Sequence, residues 1–105
     1  MNRGDSGLLS LFRAIATGDR AAATRFLDEE KLLASAALRT GATRQNATEY
    51  FLDEIAHYVY AGDTALHVAA AAHDPVLCAM LLDRGASVSA RNRRGAEPLH
   101  YAADG

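Results

Sequence analysis

Apolar and polar positions alternate with a clear helical rhythm from Thr64 onward. Leu66, Ala69 and Ala70 recur at the spacing of one helix face. Thr64 stands just before them, where its hydroxyl can accept an orphan backbone N–H and cap the helix. His73-Asp74-Pro75 breaks the run. Asp74 is a good cap and Pro75 a good first residue for a second helix. Val76, Leu77, Met80, Leu81 and Leu82 form the apolar side of that helix, and Gly85 ends it, because glycine enters the left-handed conformation freely. Residues 86–90 read as extended. Asn92-Arg93-Arg94-Gly95 has turn chemistry and predicts the tip of a β-finger.

The unit recurs. Gly62-Asp63-Thr64-Ala65-Leu66-His67-Val68-Ala69-Ala70 matches Gly95-Ala96-Glu97-Pro98-Leu99-His100-Tyr101-Ala102-Ala103, 33 positions later. Earlier, at an offset of 55 positions, Leu11, Ala14, Gly18, Asp19, Phe26 and Leu27 align with Leu66, Ala69, His73, Asp74, Leu81 and Leu82. Phe12 stands where His67 stands, and Leu9 where Thr64 stands. These stretches, with Leu81-Leu82-Asp83-Arg84-Gly85-Ala86-Ser87-Val88-Ser89-Ala90, resemble the ankyrin repeat family, in a small array of bacterial type. Two departures stand out: Ala65 takes the usual proline place, and His73 that of a helix-ending glycine. The second asks a non-glycine residue to take a left-handed or strained backbone.

The fold that this resemblance implies is all-α: an ankyrin-like helix-pair solenoid of about two and a half repeats, with short β-finger turns and a helical insertion. The chain reads as one domain, with a degenerate capping repeat over 7–29, the insertion over 30–59, a full repeat over 60–91 and a partial repeat over 92–105. Within the insertion, residues 30–38 continue as a short helix, 39–47 form a loop around Gly41, and Thr48 to His57 predict a further helix. Phe51, Leu52, Ile55 and Val59 make its apolar stripe; Glu49, Asp53 and His57 make a polar one at four-residue spacing. The segment Tyr58-Val59-Tyr60 is expected to turn extended. The apolar stripe is expected to be hidden, because leaving it open would make an aggregation-prone patch. The partial repeat lacks a second helix, so a longer array or another chain is expected to cover its outer edge around Leu99 and Tyr101.

Composition narrows the function. The chain has 105 residues, is 50% apolar and carries a net charge of −2. That suits one packed domain and gives no overall pull toward nucleic acid or anionic membrane. Cys78 is the only cysteine, which fits a reducing, cytoplasmic setting. No apolar run is long enough for a signal peptide or a membrane span. No metal-ligand spacing, phosphate-cradling loop or nucleophile elbow is present, so neither a cofactor nor catalysis is expected. The enzymatic alternative rests on His57 with Asp53 and Glu54.

The resemblance implies a protein–protein interaction module. It assigns structural roles to Thr64, Leu66, His67, Gly85, Gly95, Leu99 and His100, with His67 tying its Thr to the neighbouring finger backbone. The family's binding face, carried over position by position, gives Tyr60, Asp63, Ala71, Ala72, Arg91, Arg93, Arg94 and Ala96, with Ala61 beside them and Asp104 at the end. Tyr and Arg suit such a face, being enriched at interface hot spots. The partner is expected to be another protein. Self-association through the uncovered edge is the alternative.

Overall fold

Two helix pairs repeat one another in backbone detail. In the computed structural model, which describes residues 3–103, helix α1 (Arg3–Ala16) is followed by α2 (Arg20–Glu29), and α3 (Ala65–Ala71) by α4 (Pro75–Asp83). The junctions coincide at the offset of 55 positions read from the sequence. Gly18 has φ +77° and His73 φ +54°. The Asp19 N–H donates to the Ala14 carbonyl at 2.9 Å, and the Asp74 N–H to that of Ala69 at 3.1 Å. Each Asp then caps its second helix, accepting from Ala22 N–H and Leu77 N–H respectively, both at 3.0 Å. Pro75 occupies the first turn of α4, where its missing N–H costs nothing.

Helices α1, α3 and α5 (Pro98–Ala103) lie side by side, with α2 backing α1 and α4 backing α3. Helix α3 is enclosed by α1, α4 and α5, and every residue from Ala65 to Ala70 is buried. Its alanines let the neighbouring helices approach closely. Leu8, Leu11, Phe12 and Ile15 of α1 meet it across the core with Leu27, Leu77 and Leu81. Where His67 has a polar role in α3, the matching Phe12 of α1 is a buried apolar residue packed in the core. The two pairs are also joined at both ends of α2: Arg20 grips Asp74 at 3.1 Å, and Arg84 reaches Asp28 at 2.9 Å. Burial pushes the Asp74 carboxyl up, but Arg20 and the Leu77 N–H outweigh it and hold the group below its ordinary value. The principal extents are 34 × 30 × 23 Å, so the stack is not elongated.

The inserted segment is not the helical insertion that the sequence predicts. Residues 48–57 form no α-helix. A 3-10 turn (Thr48–Tyr50) leads into strand β1 (Phe51–Leu52), a second 3-10 turn (Asp53–Ile55) and strand β2 (His57–Tyr58). The strands pair antiparallel, Phe51 with Tyr58 and Leu52 with His57, and Ala56 at φ +51° closes the hairpin. Two facts explain the outcome. Tyr50 and Leu52, two positions apart, are both buried, as a pleated strand allows and one helix face does not. The hairpin is also paired from outside: the Val59 N–H donates to the Tyr50 carbonyl at 2.9 Å, and the Ala42 N–H to that of Val59 at 2.7 Å.

Isolated bridges Gly41–Tyr60 and Ala37–Thr64 extend this pairing, so residues 37–42 run beside 59–64. The insertion is thus an enlarged finger of the first repeat. Its early part forms only a 3-10 turn at Lys31–Ala34. The expected stripe is nonetheless buried within the domain, Leu52 and Val59 completely and Phe51 and Ile55 by half. The whole is mostly helical with a small two-stranded sheet, consistent with ankyrin-like helical repeats. The segment 86–90 likewise departs from its extended reading: Val88-Ser89 form a turn, because the Ser87 hydroxyl and carbonyl accept the N–H groups of Ser89 and Ala90.

Candidate functional site

The second finger and the enlarged first finger meet over a buried polar cluster centred on Asp63. The Asp63 carboxylate is fully enclosed. It accepts the Tyr60 N–H at 2.8 Å, the Asn92 side-chain amide at 2.8 Å and the Tyr101 hydroxyl at 2.7 Å. The Asn92 amide also donates to the Tyr101 oxygen at 2.8 Å, while its carbonyl accepts the N–H groups of Arg94 and Ala96, both at 2.9 Å. One asparagine therefore shapes the finger turn and joins it to α5. Burial, and then the neighbouring Asp63 charge, push the Tyr101 hydroxyl well above its usual pKa.

His67 completes the cluster. Its Nδ1 accepts from the Thr64 N–H at 3.1 Å, and its Nε2–H donates to the Ala96 carbonyl at 2.8 Å. Thr64 caps α3 in return, accepting from the His67 N–H. These bonds fix the Nε2–H tautomer and tie α3 to the next finger. At the following repeat the arrangement is reduced: Glu97 replaces the capping Thr, and the Nδ1 of the exposed His100 accepts the Glu97 N–H at 2.8 Å. The ring of His57, from β2, lies 4.3 Å from that of Tyr101. Thus the hairpin also leans on α5.

Above this cluster lies a surface rich in arginine and tyrosine. The guanidinium groups of Arg93 and Arg94 lie over the half-buried Tyr60 ring, at 5.6 Å and 5.0 Å from its centre. Arg93 is anchored twice, through its N–H to the Ala61 carbonyl at 2.8 Å and through its side chain to that of Ala42 at 3.0 Å. Arg91 is exposed and pairs with Glu97 at 3.4 Å. Next to these groups a cavity of about 440 Å³ is lined by His57, Tyr58, Tyr60, Asn92, Arg94, His100 and Tyr101, among others. Ala71 and Ala72 are half-buried at the end of α3, and Ala96 is half-buried with its backbone fully engaged.

This decides one of the expected contact residues. Asp63 is withdrawn from the binding face, because it is sealed beneath Asn92 and Tyr101 and all its bonds turn inward. Asp104 lies outside the described residues. The enzymatic constellation does not assemble either: Asp53 and Glu54 are exposed on their 3-10 turn and are not among the residues lining the cavity that His57 lines. Among the described residues no group of three or more His, Cys, Asp or Glu could hold a metal ion, and no helix is long and apolar enough to cross a membrane.

Residues 61–93 match the Ankyrin repeat family model. This segment is an ankyrin repeat. No curated protein shows significant similarity to the chain. The match runs from the turn before α3 to the tip of the second finger, so the ankyrin repeat contains Thr64, His67, Asn92 and Arg93, and Ala96 lies just beyond it. Sequence reasoning singled out the Thr–His pair of the ankyrin repeat but missed Asn92 and Tyr101 as partners of Asp63. Asn92 announced itself only as turn chemistry. Asp5 was missed too. Its buried carboxylate accepts Arg39 N–H at 2.7 Å, Thr40 N–H at 3.0 Å and the Tyr50 hydroxyl at 3.2 Å, and so fastens the enlarged finger to α1. No local pattern marks it.

The far side of the ankyrin repeat presents a different feature. A groove of about 830 Å³ runs between α4 and α5, lined by Leu66, Ala70, Cys78, Leu82, Val88 and Leu99, among others. Leu99, Val88 and Leu82 are 77%, 63% and 43% exposed. Cys78 lies half-buried here; burial, then the Asp74 charge, raise its thiol pKa. A thiol so shifted is a poor nucleophile.

Proposed function

We propose that the chain is a protein–protein recognition module without chemistry of its own, binding through the surface formed by Tyr60, Arg91, Arg93 and Arg94 with Ala71, Ala72 and Ala96 alongside. Ankyrin repeats generally mediate protein–protein interaction. The observation that carries the reading here is the Tyr60 ring with two guanidinium groups within 5.6 Å of its centre, on fingers pinned by the Asp63 cluster. A tyrosine and arginines so preordered lose little conformational entropy on binding. A cytoplasmic location accords with the single free thiol.

Affinity capture from the source cell, with wild type beside Tyr60→Ala and Arg94→Glu, tests it. Arg94→Glu is preferable to a change at Arg93, whose side chain also holds the first finger. A protein retained by wild type and lost from both variants is the expected result. Identical captures from all three would discard this face.

One observation favours a second reading, self-association: the apolar groove between α4 and α5, with Leu99, Val88 and Leu82 open. A second copy of the chain would cover it. Sedimentation of wild type beside Leu99→Asp tests this, and a shared monomer boundary rejects it.

A further inference from the structure

The cavity between the two fingers is built for an acidic guest. Its lining includes Arg94, His57 and His100, and among the described residues no carboxylate lines it. The hydrogen bonds of these groups show which donors are spent. Arg91 is paired with Glu97, and Arg93 with the Ala42 carbonyl. The Arg94 guanidinium rests on the Tyr60 ring and, among the described residues, donates to no acceptor. His100 accepts at Nδ1 from the Glu97 N–H, which leaves its Nε2–H as a donor. The Tyr58 side chain, 41% exposed, adds a hydroxyl. His57 turns Nδ1–H to the Tyr58 carbonyl, and its ring lies tilted against that of Tyr101.

Of the carboxylates near the cavity, Glu97 is paired with Arg91, and Asp63 lies beneath the floor. Its oxygens are occupied by Tyr60 N–H, Asn92 and Tyr101. It therefore stiffens the floor without offering an acceptor to the cavity. The walls between the donors are tyrosine rings, and the volume is that of a small-ligand cleft rather than of a single ion.

We propose that this cavity takes a carboxylate side chain from an acidic segment of a partner protein, with Arg94 as the charged anchor and His100 and Tyr58 as neutral donors. The proposal rests on the recognition reading above and names the chemistry of its partner. A long polyanion such as nucleic acid is disfavoured, since the chain carries a net charge of −2.

The test is a titration of the full-length ¹⁵N-labelled chain at pH 7, following backbone amides and arginine Nε–H signals. The probes are hexaglutamate, hexaglutamine and inorganic phosphate. The expected result is a saturating shift at Arg94 Nε–H and at the amides of Tyr58, Arg94 and Tyr101 with hexaglutamate, and none with hexaglutamine. Arg94→Gln should weaken it by about tenfold, the loss of one charge-assisted contact. Its side chain is exposed and, apart from its contact with the Tyr60 ring, makes no hydrogen bond among the described residues, so the fold is retained, which the amide spectrum verifies. Three outcomes overturn the proposal. Hexaglutamate moves nothing; it moves Arg20, Arg25 and Arg84 as much as Arg94; or phosphate saturates the same signals as tightly, marking a general anion site. The recognition reading fails separately. A partner caught through Tyr60 but indifferent to Arg94→Gln would keep that reading and remove this inference.

Discussion

Tyr101 is the residue through which the cluster under the fingers meets solvent pH. Its hydroxyl is buried, donates to Asp63 and accepts from Asn92. Its pKa in the folded chain lies above the ordinary 10.0, first because burial disfavours the phenolate and then because Asp63 repels it. A group whose folded pKa is raised contributes stability in full below its unfolded value and loses it as pH rises beyond. Stability should therefore fall from about pH 10 upward. Tyr50, raised by burial and then by Asp5, adds to the same limb. Tyr101→Phe should cost about 1–3 kcal/mol at pH 7, because Asp63 loses a buried donor. It should also make the alkaline fall shallower, with Tyr50 supplying what remains. Urea midpoints measured from pH 7 to 11 read both effects, and an alkaline slope equal to wild type would remove Tyr101 from the account. Asp63 also shows the limit of residue-level reading. As one letter in a repeat it stands at a position that faces partners. Its burial depends on Asn92 and Tyr101, 29 and 38 positions away, whose bonds to it no local pattern encodes.

At the scale of elements, positive φ angles mark where the chain is most sensitive. His73 ends α3 at φ +54°, where the first repeat has Gly18. An L side chain pays about 1–2 kcal/mol there, and glycine returns part of that as unfolded-state entropy. His73→Gly should stabilise by about 0.5–1 kcal/mol, a few degrees in Tm, and calorimetry showing no gain would contradict the strain. Gly41 and Gly85 both have positive φ but differ in surroundings. A Cβ on Gly41 would stand 2.3 Å from the backbone of Tyr60 and Ala61, whereas one on Gly85 meets nothing within 4 Å. Gly41→Ala should cost about 4 kcal/mol or more, Gly85→Ala about 1–2 kcal/mol. Comparable denaturant midpoints for the two would mean that the first finger is not packed this tightly. The helix pairs were legible because their signals are local: a cap, a Pro at the first turn, a residue able to turn left-handed at the end. The enlarged finger was not. Phe51, Leu52, Ile55 and Val59 satisfy helical spacing as well as they satisfy a hairpin. Pairing with residues 37–42 decides between them, and a window on 48–59 does not contain it. The cluster of Tyr50, Phe51, Tyr58 and Tyr60 was the available hint, since aromatics favour strands.

For the molecule as a whole, α3 is the keel: α1 covers one flank and α5 the other, and α2 and α4 back the first two. The two broad faces differ in character. The finger side is polar, with its charges paired or resting on tyrosine, and it suits a partner met and released. The α4–α5 side exposes Leu99, Val88 and Leu82 around an open groove. Apolar surface of this kind gains about 25 cal/mol for each Å² covered, so a second copy placed against it would be held by burial alone. Folding would then be linked to association, and Tm would rise with protein concentration by mass action. Leu99→Asp separates this from a purely internal effect. Leu99 is 77% exposed, so the change should shift monomer stability by no more than about 0.5 kcal/mol. A charge set in the middle of the contact should instead abolish the concentration dependence. The expected pattern is a wild-type Tm that climbs over a hundredfold range of concentration and a Leu99→Asp Tm that stays flat at the dilute wild-type value. A wild-type Tm independent of concentration would leave the groove without a second copy in it and remove the self-association reading.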